Sequence, residues 1–422
     1  MATKTVTTEW KKVRLDECFN IQQGKQVSKK NRLGENQYPF LRTANVFWGR
    51  LDLHELDQMN FSAEEEKKFA LKKGDLLVCE GGDIGRTAMW NEEIERCYYQ
   101  NHLHRLRKVN DEIDENFILF YLKYAFVYAK LYAGRANITT IPNLSKSRLS
   151  ELEILLPSIS DQRSIARKLT IIQEAIVAQE KLIAKLKDLK TSMMQHLFTH
   201  GTKGEKTKMT EFGEMPESWE IMKFSDFSVD QIYIKNGFPC GSWNEDGIGL
   251  LQLRPFNISE DGKIILKQRK YIETDKKIDD YVLRSEDIVF NNTNSEDLVG
   301  KTSWWNSDEH AVLSNHMTII RILDKNIFNY VFLANFLHNL WEQREFKKLC
   351  RRHVNQASIS IERLSSIGIP TPTITEQRKI GLLFISIDRK LDMAQEKLSN
   401  YQNLFKTLLH ELMSGEKRIN LK

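Results

Sequence analysis

The sequence predicts an α+β protein built from two similar domains and two long helices. Three observations predict it. The chain nearly repeats itself half its length apart: Leu156–Ile165 reads LPSISDQRSI and Thr371–Ile380 reads TPTITEQRKI. Each copy of that segment runs into a long stretch with an apolar period near 3.5 residues, the mark of a helix with a partner. Each is preceded by about 150 residues in which short β-like runs alternate with helical ones.

The repeat extends well beyond the quoted segment. At an offset of 215, Gly85 pairs with Gly300, Trp90 with Trp305, Leu149 with Leu364, Pro157 with Pro372, and Gln162-Arg163 with Gln377-Arg378. At 214, Asn101-His102 pairs with Asn315-His316; at 212, Arg42, Asn45 and Asp75 pair with Arg254, Asn257 and Asp287. At 209, Trp10 pairs with Trp219 and Val13 with Met222. A collinear series with slowly drifting offset is an internal duplication with small loop insertions. The unit is domain-sized, far longer than a solenoid repeat. The expected division is 1–157 for the first domain, 158–200 for the first long helix, 201–215 for a linker, 216–372 for the second domain and 373–422 for the second helix and tail.

Within each domain the β-like runs are Tyr38–Val46 and Asp75–Val78, with counterparts Gly249–Ile258 and Asp287–Phe290. Helical stretches follow at Glu115–Tyr132 and Ile327–Phe346. The first long helix then presents Ile165, Leu169, Ile172, Ile176, Gln179, Ile183, Leu186, Lys190, Met193 and Leu197 at alternating steps of four and three. The second presents Ile380, Phe384, Ile387, Leu391, Ala394, Leu398, Tyr401, Phe405, Leu408 and Leu412. Neither contains an internal proline. Ser160-Asp161 and Thr375-Glu376 offer a capping hydroxyl and an acid at the positive helix end. Gly201 and Gly415 stand where helices end. A helix of about 35 residues spans about 50 Å and cannot bury such a seam alone. The economical partner is the other copy, which gives an internal pseudo-twofold repeat with the two helices antiparallel in an intramolecular coiled coil.

Composition narrows the function. Apolar residues make 41% and charged residues 28% of 422, and no stretch has the apolar length of a signal peptide or membrane span. Residence in the cytoplasm is the default expectation. Cys18, Cys79, Cys97, Cys240 and Cys350 are scattered, with no CxxC pair, so neither a disulfide frame nor a zinc site is expected. Glu80–Arg86 (EGGDIGR) is Gly-rich but is not GxGxxG and reads as a turn. Neither a P-loop nor an amino-methyltransferase tetrapeptide of the NPPF or DPPY kind occurs. Carboxylate-x-Lys triplets at Glu66–Lys68 and Asp275–Lys277 are what chance supplies in a chain this charged. His102 and His316 are paired between copies without further ligands at metal spacing. The reading is a protein without a catalytic site or a metal.

What the sequence does offer is loops suited to nucleic acid. Gly24–Arg32 (GKQVSKKNR) holds four basic residues and no acid, including Lys25, Lys29, Lys30 and Arg32. Arg344–Arg352 (REFKKLCRR) holds five basic residues against one acid and ends in Arg351 and Arg352. Asn291–Asn294 (NNTN) carries amide groups at Asn292 and Asn294. Arg42 and Asn45 recur as Arg254 and Asn257; Arg86, Lys235 and Lys301 complete the candidate DNA-binding set. Lys and Arg neutralise phosphates, and Arg, Asn and Gln can read base edges. The pair kept by both copies is equally open to a structural reading, since residues that differ between the copies are the ones able to read different bases.

Two variable α+β domains alternating with two similar helices, each entered through Pro–x–x–x–[DE]QR, resemble the specificity subunit of a Type I restriction–modification enzyme. The resemblance is carried by Asp161–His200 and Glu376–Gly415, by Leu144–Pro157, and by Glu214–Phe224 (EMPESWEIMKF), and it covers essentially the whole chain. It implies that each domain is a target recognition domain reading half of a bipartite DNA site. The helix pair would set the unread spacer. Two methyltransferase subunits would dock on this chain and modify adenine with S-adenosylmethionine, and two restriction subunits driven by ATP could be recruited. S-adenosylmethionine, ATP and Mg would then sit on partner subunits, with no cofactor on this chain. The helices contain no short tandem tetrapeptide, so tuning of the spacer by repeat number is not suggested. Gln179 and Lys190 interrupt the first seam and are expected to face partner subunits. The alternative is a two-lobed coiled-coil scaffold without DNA specificity.

Overall fold

A computed structural model describes residues 10–130, 143–239, 242–354 and 356–415. The chain forms two compact units: residues 1–180 with 396–422, and residues 181–395. Each contains one α+β lobe and half of each long helix. The expected helical tail after 415 lies outside the described residues.

In the first unit the central antiparallel sheet has the order Phe19–Gln23, Leu103–Lys108, Leu76–Cys79, Thr87–Met89. In the second it is Ile232–Asn236, Met317–Ile322, Ile288–Asn291, Thr302–Trp304. One inner strand of each sheet, LLVC in the first and IVFN in the second, is buried along its whole length, on both faces, as a strand covered on both sides must be. A second sheet in each lobe contains a parallel pair, Gln37–Leu41 with Tyr98–Tyr99 and Leu250–Leu253 with Ala311–Leu313. A short antiparallel pair joins the lobe's first strand to its last, Val13 opposite Ile154 and Met222 opposite Ile369. The repeat seen in the letters is therefore a repeat of topology and register.

Of the helical stretch expected at Glu115–Tyr132, Glu115–Lys123 is an α-helix that continues as a π-turn to Tyr128, and the last two residues lie outside the described residues. Its counterpart is Tyr330–Glu342. The paired glycines have a steric reason. Gly85 and Gly300 have φ of 82° and 95°, and a Cβ on either would lie 2.4 Å from the ring of Phe126 or Phe346. The segment 201–215, expected as a linker, contains a β-hairpin of Thr207–Thr210 with Gly213–Pro216. Its Phe212 and Met215 belong to the second unit's core, so it is part of that unit.

The long helices are Ile159–His200 and Ile374–Met413. Their caps are Ser158 and Thr373, not the expected Ser160 and Thr375: the Ser158 hydroxyl accepts from the Asp161 amide and the Thr373 hydroxyl from the Glu376 amide. A cap oxygen must reach the amide three residues on, which places it just before the helix. In the first unit Ile165, Leu169 and Ile176 share one core with Phe405, Leu409 and Leu412. In the second, Met194, Leu197 and Phe198 share one with Ile380 and Phe384. The start of each helix thus meets the end of the other, which makes them antiparallel. Every expected seam position is at least partly buried; Ile172, Ile183, Leu186, Met193, Leu398, Tyr401 and Leu408 are the partly exposed ones. The buried strip is wider than the heptad seam, because each half-helix packs on its lobe as well as on the other helix. Phe198 lies 5.6 Å from Phe332 of the lobe and 5.9 Å from Phe384 of the second helix. Lys190 corrects one expectation. It is buried within the second unit, where its Nζ donates to Asp388 Oδ1 at 2.7 Å, instead of facing outward. Gln179 is buried as well.

The repeated Gln-Arg dipeptide has the same role in both lobes. The Gln162 side chain accepts from the Asp114 amide at 2.9 Å and donates to the carbonyls of Glu112 and Pro157. Gln377 accepts from the Asn329 amide at 2.9 Å and donates to the carbonyls of Ile327 and Pro372. Each glutamine ties the start of a long helix to the loop preceding a lobe helix. Arg163 and Arg378 are exposed.

Candidate nucleic-acid interface

The second lobe has a cleft of about 930 Å³ lined by, among others, Arg254, Asn294, Lys301, His316 and Gln356. Thr293 and Asn294 of its lining belong to a sheet of three short strands. Thr293–Asn294 pairs with Ala357–Ser358, which pairs with Arg351–Arg352. This small sheet brings Asn294, Arg351 and Arg352 together from segments far apart in sequence. Arg351 and Arg352 are exposed, and Arg352 is held by Glu296 at 3.1 Å. Arg254, also of the lining, donates to the Gln252 side chain at 2.8 Å, and its guanidinium lies over the exposed Trp243 ring at 5.5 Å. Lys270 packs on the same ring and pairs with Glu245. Phe256 is an exposed aromatic at the rim. Guanidinium forks, amides and exposed aromatic faces are the groups that grip phosphates and base edges. Lys235 lies apart from this lining, 3.4 Å from Asp280 and 3.9 Å from the Tyr281 ring centroid.

In the first lobe Lys29 and Lys30 are exposed on the loop before Gln37–Leu41. Arg32 and Arg42 both reach Asp57 at 3.1 Å, which fixes two guanidiniums side by side. Arg86 donates to the Thr43 carbonyl at 3.0 Å and lies 5.6 Å from the Phe47 ring, which Arg50 also approaches at 4.9 Å. Arg50, Trp243 and Gln356 escaped the sequence reading. A lone arginine after a glycine, or a lone tryptophan, gives no period and no charge run; only the fold brings them to the same surface as the loops already singled out.

Five of the expected DNA-binding residues are turned inward. Lys25 is buried, with its Nζ 2.6 Å from both the Asn60 carbonyl and the Glu65 carboxylate. Asn45 and Asn257 are buried turn locks: each accepts from the amide three residues back and donates to two carbonyls of the following loop. That is why the copies share them. Asn292 is buried among Asn236, Thr318 and the Asn315 carbonyl. Lys301 lines the cleft but donates its Nζ to the Ile258 carbonyl at 2.6 Å. A buried polar group must be paired, and these are consumed in holding loops.

The loop wall at Ile258–Lys263 has a second anchor. His338 is buried with Nε2 3.0 Å from the Glu260 carbonyl; a carbonyl can only accept, so Nε2 carries the proton. Burial, with the Lys190 ammonium nearby, holds the imidazole down to about 4. In the unfolded chain it titrates near ~6.5. The stability tied to the neutral ring is therefore complete above the unfolded value and is lost as pH falls towards the folded one. The loss is about 3 kcal/mol. A His338→Gln protein keeps a donor for Glu260 without the titration. Urea unfolding from neutral to mildly acid pH should show a shallower loss of stability for it than for the wild type. Equal slopes would refute the neutral buried ring.

Among the described residues no three His, Cys, Asp or Glu side chains are placed to hold a metal ion. Burial pushes the Cys79 thiol up to about 11 and the Cys97 thiol up to about 12, which leaves both protonated and unreactive at neutral pH. No described helix is long and apolar enough to cross a membrane.

The chain is similar to known proteins over its whole length. The family model for the Type I restriction modification DNA specificity domain matches residues 7–188 and 256–400. The Type I restriction enzyme MjaVIII specificity subunit of Methanocaldococcus jannaschii is 25% identical, covering 98% of this chain and 94% of that protein. The EcoBI specificity subunit of Escherichia coli is 20% identical over 98% of this chain and 87% of its own length. Among solved structures, the S subunit of a Type I restriction–modification system from M. genitalium matches with a TM-score of 0.59 at 17% identity, covering 98% of both chains. A chain from a structural study of the assembly and conformational transition of the Type I system matches with a TM-score of 0.58, also at 17% identity, covering 96% of this chain and 97% of that one.

Proposed function

The chain belongs to the Type I restriction modification DNA specificity family, and from that membership we propose how its parts divide the work of a DNA-recognition subunit. It is the specificity subunit of a Type I restriction–modification complex. Each lobe reads one half of a bipartite target, the first through the surface of Lys29, Lys30, Arg32, Arg42 and Arg86, the second through the cleft of Arg254 and Asn294 together with the neighbouring strand of Arg351 and Arg352. The long helices run as one antiparallel coiled coil whose length sets the unread spacer. Methyltransferase subunits dock along them, with apolar side chains exposed for the purpose: Ile171 and Leu404 in the first unit, Leu182, Leu382 and Met393 in the second. This chain performs no chemistry. S-adenosylmethionine, ATP and Mg are held by partner subunits, and the complex works on DNA in the cytoplasm.

The observation that carries this reading is the duplication of one lobe, with its central sheet, its second sheet and its closing strand pair repeated, and each copy feeding one of two antiparallel helices. A protein that reads two separated sites needs two readers of one design and a spacer between them. The decisive experiment is base-resolution mapping of methylated adenine in cells expressing this chain with its methyltransferase subunit. A bipartite motif that disappears when this chain is deleted is expected. A stable complex with no motif dependent on this chain would defeat the reading. A second expectation concerns the first lobe alone. Replacing Lys29 and Lys30 by alanine should weaken binding equally on all sequences and lower the salt slope by about one for each phosphate no longer neutralised. An unchanged slope would remove that loop from the DNA surface.

A further inference from the structure

The wall of the second lobe's cleft is held from two directions. From the lobe, Lys301 binds the Ile258 carbonyl at 2.6 Å and His338 the Glu260 carbonyl at 3.0 Å. From the first long helix, Lys190 binds the Asp261 carbonyl at 3.1 Å and Asp388 of the second helix at 2.7 Å. Lys263, on the same wall, reaches back to Asp392 and to the Asp388 carbonyl, and Lys187 lies 3.5 Å from Asp261. All of these residues belong to the second unit. Lys190 and Asp388 are each about nine-tenths buried in the middle of an apolar seam, where charge is costly unless a specific geometry requires it.

Among the described residues the first unit has no ion pair at the corresponding place; Gln173 there only receives a 3.5 Å contact from Lys123. At the repeat offset of 215, Lys190 corresponds to Phe405 and Asp388 to Gln173. Phe405 packs on Phe120 at 6.0 Å, under the Lys123 ammonium. An apolar seam is adhesive but has little directional preference, whereas charge-assisted hydrogen bonds fix an angle and a register.

We propose that Lys190, Asp388 and Lys263 are positioning residues that lock the second lobe's reading cleft to the spacer helices at one orientation, so that the complex accepts a single spacer length. This rests on the reading of the chain as a specificity subunit. The residues touch no DNA. They act through the Ile258–Lys263 wall, and they confine the constraint on spacing to one of the two lobes.

The test is a double substitution, Lys190→Leu with Asp388→Leu, expressed with the methyltransferase subunit and read by methylated-adenine mapping. Removing either charge alone strands the other in the seam and threatens folding. The paired leucines keep the seam apolar, and thermal melting checks that the protein stays folded. Both half-sites should persist. Methylation at sites whose spacer is one base pair longer or shorter should rise about fivefold or more over the wild type. A folded double variant with the wild-type spacer distribution would overturn the proposal and leave the function intact. A changed second half-site at an unchanged spacer would overturn it too, because the residues would then shape reading and not spacing. A wild-type chain that directs no bipartite motif would instead overturn the functional reading beneath it.

Discussion

Replacing Asp287 by alanine should destabilise the second unit by about 3–5 kcal/mol, the usual result of removing one partner from a buried ion pair. Asp287 is 1% exposed and grips Arg321 in a two-pronged pair, Nε to Oδ1 and Nη2 to Oδ2, both at 2.7 Å. Its Oδ2 also accepts from the Arg284 amide at 2.7 Å. Without it the Arg321 guanidinium stays buried with only the Val282 carbonyl to bind. The first lobe repeats the arrangement with Asp75 and Arg107, at 2.7 and 2.6 Å, and the Lys72 amide. There the arginine side chain is 29% exposed against 9% for Arg321, so water can take over part of the carboxylate's role. Asp75→Ala should therefore cost less than Asp287→Ala. Urea unfolding of the two variants, followed by a probe in each unit, decides it. Equal losses of stability, or a loss at Asp287 below about 1 kcal/mol, would show that the pair is not desolvated as the geometry implies.

The second large effect is expected at the repeated glutamines. Gln377→Leu keeps the side-chain volume close to native but leaves the Asn329 amide and the Ile327 and Pro372 carbonyls without their partner. Each buried orphan costs about 1–3 kcal/mol, so the sum should exceed 3 kcal/mol. Gln162→Leu should behave alike, since its three bonds are equivalent. Arg378→Ala, next along the chain, removes only a 3.4 Å bond to the Lys325 carbonyl from an exposed side chain, and should change stability by less than about 0.5 kcal/mol. Thermal melts of the three proteins test the contrast. A dipeptide repeated intact in both copies would then prove to be half framework and half surface.

The contrast shows how far letters can be read. That Gln162-Arg163 recurs as Gln377-Arg378 is plain in the sequence; which of the two is structural depends on which points into the lobe. The asparagines mislead in the same way. Asn45 and Asn257 look like base readers because their side chains suit the work, yet both are buried turn locks. Recurrence in both copies was the available warning, since two readers of different half-sites need not share a reading residue. Lys25 sat in a basic run with Lys29 and Lys30, and charge alone could not separate the one that folds back onto Glu65.

The sequence by itself determined the duplication, the two long helices and the α+β character of each copy. Those follow from local regularities: a repeated order of residues, an apolar period and a terminal glycine. It also determined that the loops before and after the central strands carry the basic and amide groups. Only the tertiary structure decided which of those groups face outward, because a strand pairing or a turn rotates a side chain by half a revolution without changing the sequence around it. Only the tertiary structure brought Asn294 beside Arg351 and Arg352. It alone turned Lys190 into a buried latch on Asp388, residues 198 apart that meet because two antiparallel helices put them face to face.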